Sequence, residues 1–475
     1  MPHTLKNHLN EIVYLKSISS LLSWDQETLM PAEGAPFRAD QSAFVQGLVQ
    51  EKILSPIIKN FLESEPKDGA EKRQQALLQN EVNEFSIPKD LVEAIAKQAV
   101  ISVDSWRKAR EENNFSLFKN DLKKMIELQQ QLADQLRGNR SRYDALLAFY
   151  DRDLTFAAIE KLFSPIEKEL KELIHRKKFP HRKAHPFPVP LDIQKKLCEE
   201  IAQLIAPKSL LAVSTHPFCS SLGPNDVRLS TRYKAEDLAD ALFSTLHELG
   251  HALYDQQLPH EAPYPLNQAL SLTVHESQSK LFETCISGSN EFLTFLYSRL
   301  KALMPTLHLS LEEFIESRLA VRPHPIRIES DECTYPLHII FRTKIEHDLI
   351  EGDLSVDDLP HTFRQYQKEL LGLDVTKDSD GCLQDIHWAG GYFGYFPTYL
   401  TGCMYASDQY ATMQGLFDMP KHLSKGDLEP IRNWLKTHIH GLGSLYPLHE
   451  LLKHSTKKEL TPERYLDYLK GRFLA

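Results

Sequence analysis

The 475-residue chain has only six cysteines, at positions 198, 219, 285, 333, 382 and 403, and no CxxC pair. That scarcity excludes a disulfide-stapled scaffold and points to reduced, structural thiols. Basic charge is also short: 55 Lys and Arg against 65 Asp and Glu leave a formal charge of -10, which argues against nucleic acid as a partner. The one concentrated basic run, HRKKFPHRK at 175–183, is interrupted by proline and reads as a solvated loop. No stretch approaches eighteen uninterrupted apolar residues, and MPHTLKNHLNEIVYLKSISS at the start lacks a basic segment followed by an apolar core. The expectation is a cytoplasmic protein without a membrane partner.

What the chain does have is helical periodicity. Apolar residues recur at helical spacing over 9–24 until Pro31, again through Phe44, Val45, Leu48 and Val49, and again through Leu91, Val92, Ala94 and Ile95 behind Pro88 and Asp90. The charged, Gln-rich segment 115–136 suits an exposed, two-sided helix ended by Gly138 and Asn139. Strand signals cluster at 212–233, where AVSTHPF and DVRLSTRY flank Gly223-Pro224-Asn225, so a β-hairpin is expected with Asp226, Arg228 and Ser230 on one face. Length alone favours about three domains. With no repeat or clear linker, the chain reads instead as one mostly helical unit with a small sheet.

Directly after the strand signals, a helix from about 235 to 257 carries STLHELGHALY (244–254). A helix turns about 100° per residue, so His247 and His251 lie about 40° apart on one face and can reach one ion. Glu248 beside them could take a proton from a water held there, the HExxH arrangement of metallopeptidases. The alternative is an exposed polar stripe, against which stand the flanking Leu242, Phe243, Leu246, Leu249 and Leu253. A catalytic zinc needs a third protein ligand. Glu276, in SLTVHESQS after a Pro-rich turn, is the best candidate, and Glu283 could hold a ligand histidine from behind.

HELGH followed by HESQS, preceded by HPF at 216–218 and DVRLS at 226–230, and followed by IRIESD at 326–331 and GCLQDIHW at 381–388, resembles the carboxypeptidase Taq family of metallocarboxypeptidases. LLSWDQETLMP (21–31) and GSLYPLHELL (443–452) are similar to family segments as well. Departures are small: Ser230 ends the DxRxT motif and Ser330 stands in IRxxAD. A second HPF at 185–187 lacks a DxRxT partner and reads as a decoy.

The resemblance implies a mainly α fold similar to neurolysin and angiotensin-converting enzyme. That would be a single large helical zincin-type domain over 1–475 with a small β-sheet beside the HExxH helix. Helices within 1–150 would roof a deep groove, and 205–410 would form the catalytic core. It implies one divalent metal per chain, zinc or else cobalt, held by His247, His251 and Glu276, with Glu248 as general base. It also implies a homodimer and peptide substrates with a free C-terminus. HWAGGYFGYFPTY resembles the His, Gly and Tyr run that supplies transition-state donors in related oligopeptidases. Tyr399 is the first choice, Tyr395 the second, with His387 nearby. His216, Arg228 and Arg327 resemble substrate-contacting positions, although Asp226, Glu329 and Asp331 stand nearby as salt-bridge partners for the arginines. An endo-acting oligopeptidase would use the same metal site without a carboxylate anchor. A non-catalytic helical binding protein would leave HExxH without a metal.

Overall fold

The computed structural model describes residues 3–183 and 187–474. His185 and Pro186 of the second HPF segment lie outside them, while Phe187 is buried in the core. The architecture is mainly helical with one small sheet. The first helix, His3–Thr28, joins Ala35–Ile53, Pro56–Leu62 and Gly69–Phe85 around a small apolar cluster of Leu9, Ile12, Val49, Ile58, Phe61 and Leu78. Ser55 and Asp68 start two of these helices by accepting the backbone N–H of Ile58 and Glu71. The cluster closes on Tyr264, far along the chain, and Trp24 stands 5.1 Å from Phe218 of the sheet.

Two larger cores fill the rest. One gathers Trp106, Leu122, Tyr143, Phe163, Phe341 and Phe363, and the other Leu197, Leu229, Leu246, Leu249, Phe282 and Leu296. The helix Phe396–Gln414 serves both, with Phe396, Leu400 and Met404 in the first and Tyr405, Ala406 and Met413 in the second. The segment expected as a two-sided exposed helix is corrected here. After a short 3₁₀ turn, Lys119–Leu136 buries Leu122, Met125, Ile126, Leu132 and Ala133 along one face of the first core. Its lysines and glutamines mask an ordinary amphipathic stripe, in which Gln129 is buried as well.

The sheet has the order β1-β3-β2, with β1 Leu210–Val213, β2 Phe218–Gly223 and β3 Asp226–Thr231. The hairpin therefore exists, but its first strand begins at Phe218. AVSTHPF supplies instead the end of β1, which runs parallel to β3, and a turn. Pro217 has no N–H to offer a ladder, and Ser214 leaves the strand after bonding Thr231 O at 3.1 Å.

Next comes the histidine-bearing helix, Leu238–Gln257, opened by Asp237 accepting from Ala239 N at 2.9 Å and stopped before Pro259. Leu242, Leu246, Leu249 and Leu253 tie it into the second core. The helix Leu272–Lys280 crosses it and passes into a π-helical stretch, Leu281–Ile286. At the crossing a Cβ on Gly250 would stand 2.2 Å from Gln278 O, so only glycine permits this approach. Gly402, on Phe396–Gln414, admits Glu276 in the same way, its Cβ position being 2.9 Å from Glu276 Cγ.

Gly250→Ala must push the two helices apart, an overpacking cost of about 1–3 kcal/mol. Gly47 also lies within a helix but has nothing within 4 Å of its Cβ position, so Gly47→Ala should gain about 0.5–1 kcal/mol from helix propensity. Thermal melts should move in opposite directions. A Gly250→Ala melt at or above wild type would contradict the close crossing.

Candidate metal centre

The crossing brings His247 and His251 to Glu276. Their Nε2 atoms lie 3.7 and 3.6 Å from Glu276 Oε2, and the three ligand atoms all fall within 4.8 Å of one another. Atoms about 2.1 Å from one ion at tetrahedral angles stand about 3.4 Å apart, so the set has the size of a metal shell. Two observations fit a cation. Glu276 Oε1 is buried without a hydrogen-bond partner, while Oε2 accepts from Ser279 Oγ at 3.1 Å. The far side of each ring is also occupied: His247 Nδ1 lies 2.7 Å from Glu283 Oε2, and His251 Nδ1 lies 2.5 Å from His275 Nδ1. His275 Nε2 is 3.1 Å from Asp255 Oδ1, so with His275 donating there its Nδ1 accepts from His251. Both ligand histidines then turn an Nε2 lone pair toward Glu276.

Burial alone would lower His247, but the charges of Glu276 and Glu283 outweigh it and push the imidazole up to about 9. The surroundings thus favour positive charge at that ring, which a dication would supply. Burial also holds His251 well below the ordinary histidine range, with the charges of His275 and His247 adding to the effect. Burial lifts the Glu248 carboxyl to about 7, near the range in which a base can take and return a proton.

A cavity of about 960 Å³ opens beside these groups, lined by His247, Glu248 and Glu276 together with Arg327, Tyr335 and Tyr399. Arg327 is buried, and its partner is not Glu329 or Asp331 but Asp385, whose Oδ1 lies 3.0 Å from both Nε and Nη2. Asp331 is instead consumed by the backbone N–H groups of Arg322, Cys333 and Thr334. Asp385 Oδ2 also accepts from Arg342 Nε at 2.7 Å, so two guanidiniums share one carboxylate. Arg327 Nη1 is 3.5 Å from the Tyr335 hydroxyl, and the Tyr399 ring centre is 5.3 Å from the guanidinium carbon.

The other expected contacts are dispersed. Arg228 is held by Asp226 through two 2.8 Å bonds and lies against Trp24, and His216 is exposed in the turn between β1 and β2. His387 is packed 4.6 Å from Phe396 and 5.4 Å from Tyr395, its Nδ1 buried without a partner. Burial pushes it down to about 4, so the ring is neutral. Tyr395 and Tyr399 meet edge to face at 5.2 Å. The loop they follow is pinned by Glu346, which accepts from Trp388 Nε1, Tyr143 Oη and Gly394 N at 2.9, 3.0 and 3.1 Å.

Sequence reasoning passed over His275, Asp255 and Asp385. Asp255 had a readable signal, lying one turn beyond His251 on the same helix. Asp385 comes from a segment 58 residues after Arg327, which no local spacing reveals.

Paired histidines, an intervening glutamate and a carboxylate from a crossing helix make this a helical metallopeptidase. The family model described as "Carboxypeptidase Taq (M32) metallopeptidase" matches residues 4–473. Thermostable carboxypeptidase 1 of Pyrococcus furiosus is 32% identical, covering 96% of this chain and 95% of its own length. The protein of the same name from Thermus thermophilus is also 32% identical, over 98% and 96%. A solved structure titled Pyrococcus furiosus Carboxypeptidase Apo-Mg superposes with a TM-score of 0.95 at 31% identity, covering 100% of this chain and 99% of that one. The chain belongs to the carboxypeptidase Taq (M32) family and is a metal-dependent carboxypeptidase.

Glu276→Ala removes the only charged member of the donor set and should leave less than one equivalent of metal after dialysis. Glu283→Ala should keep the metal but weaken it about 10–100-fold, since only the orientation of His247 is lost. Metal analysis across a chelator series separates the two. Full retention by Glu276→Ala would move the third ligand elsewhere.

Proposed function

We propose that His247, His251 and Glu276 hold one divalent ion, zinc in preference to cobalt, and that Glu248 is the general base of peptide hydrolysis. Mixed imidazole and carboxylate donors suit zinc. When bound, the ion contributes Lewis acidity, polarising the scissile carbonyl and making a water more acidic. Glu248 accepts the proton of the attacking water and returns it to the leaving amine. Tyr399 Oη donates to the developing oxyanion, with Tyr395 as second choice and neutral His387 packed behind them.

The observation that carries exo action is Arg327. It lines the same cavity as Glu248, His247 and Glu276, and Asp385 fixes its fork through Nε and Nη2 while Nη1 stays beside Tyr335. A guanidinium so oriented suits the free carboxylate of a peptide end. His216 and Arg228 then serve the substrate at most from the sheet side.

Chain 1–475 is one peptidase unit in this reading. Its first 150 residues roof the groove and 205–410 form the catalytic core, supported by the Trp24 and Phe218 contact across the two. The six free thiols, all buried except half-buried Cys219, agree with a cytoplasmic setting, and no described helix is long and apolar enough to cross a membrane. A homodimer follows from the family resemblance and is open to light scattering.

Glu248→Gln should retain metal and lose nearly all turnover, because the amide keeps the shape but accepts no proton. Wild-type rates in that variant would remove Glu248 from the mechanism. Arg327→Ala should cost about 2 to 5 kcal/mol on peptides with a free C-terminus, roughly 1.5 to 3.5 powers of ten in kcat/KM. Amidated peptides, poor substrates already, should lose little more. Equal losses on both would make Arg327 structural, and efficient cleavage of amidated peptides by wild type would favour an endopeptidase.

A further inference from the structure

The cavity lined by His247, Glu248 and Glu276 also takes in Phe243 and Arg318. Arg318 stands in the last turn of the helix Leu311–Leu319, its guanidinium carbon 3.6 Å from the centre of the Phe243 ring. The ring covers one face of the guanidinium by a cation–π contact and leaves its in-plane N–H groups free. Those groups are poorly served. Nη2 reaches only the backbone oxygen of Glu283, at 3.5 Å, and Nε is buried without a hydrogen-bond partner.

The two carboxylates near enough to act on Arg318 are committed elsewhere. Glu332 accepts from Arg472 Nη1 at 2.6 Å and from Tyr468 Oη at 2.7 Å, and Glu283 lies 2.7 Å from both His247 Nδ1 and Lys280 Nζ. Arg472 brings a second guanidinium into the neighbourhood, and its own Nε and Nη2 are buried without partners. Among the described residues no carboxylate forms an ion pair with Arg318. Around Arg318 stand Arg472, Glu332 and Glu283, and the wider lining adds Asp240, Glu248, Glu276, Glu329 and Asp331, so what Arg318 offers is unspent donors and not a surplus of positive charge. A desolvated, fixed guanidinium with unspent donors is matched best by an incoming carboxylate.

We propose that Arg318 is a specificity determinant and that the cavity takes peptides whose C-terminal residue carries an acidic side chain, aspartate or glutamate. The inference rests on the carboxypeptidase reading above. It divides the two carboxylates of such a residue between two arginines, the main-chain carboxylate to Arg327 and the side-chain carboxylate to Arg318. Glutamine has nearly the shape of glutamate without its charge, so a pair of peptides differing only in a terminal Glu or Gln isolates the contact.

Release of the terminal residue, followed by mass, should give kcat/KM for the Glu peptide about 10–100-fold above that for the Gln peptide, the scale of a hydrogen bond to a charged group. Arg318→Gln should bring that ratio near or below one, and Arg318→Lys should keep part of it. A wild-type ratio of one or less overturns the proposal, and it needs no variant to fold. A ratio that survives Arg318→Gln overturns it too, as do equal losses on both peptides, which would assign Arg318 to the main-chain carboxylate. Failure of the underlying reading looks different: no unblocked peptide, whatever its last residue, would be shortened from its C-terminus.

Discussion

The contact on which the rest depends is the close crossing of Leu238–Gln257 by Leu272–Lys280, where the backbone of Gln278 occupies the space a side chain at Gly250 would fill. It fixes the height of Glu276 against His247 and His251, and so the size of the shell their atoms form. Gly402 lets the helix Phe396–Gln414 lie against Glu276 from the other side. The three candidate ligands therefore sit on two helices, with a third packed against Glu276 and the distances set by backbone contact. Such a site is held more tightly than one built on loops.

Charge is sorted on either side of that crossing. Glu248, Glu276 and Glu283 gather around the two histidines with Lys280 as the main internal cation, an arrangement that favours a dication. Across the cavity the balance reverses, since Arg327 and Arg342 share the single carboxylate of Asp385. Glu346 extends the order outward by fastening Trp388 and Gly394, between which the aromatic loop turns toward Tyr399.

Much of this was legible before any coordinates. The histidine-bearing helix announced itself through its apolar spacing and Pro259, both local signals, although its start was set three residues early, ahead of the Asp237 cap. Glu276 was harder, because a ligand on another helix is specified by the crossing and not by its neighbours; HESQS and a familiar motif order pointed to it. The hairpin was misplaced because β-propensity in AVSTHPF does not say which strand it pairs with, and Pro217 ends the ladder there. The segment 119–136 looked two-sided because long polar side chains outnumber the apolar positions that decide its packing. Asp385 and His275 act across tertiary contacts, where sequence spacing carries no information.

The central claim is that one ion sits between His247, His251 and Glu276. Anomalous diffraction at the absorption edge of the metal, from crystals grown with stoichiometric zinc, tests it directly. The account predicts one strong peak per chain about 2.0–2.2 Å from both Nε2 atoms and a Glu276 carboxylate oxygen. A peak centred on other side chains, or none at this crossing with metal bound elsewhere, would contradict it.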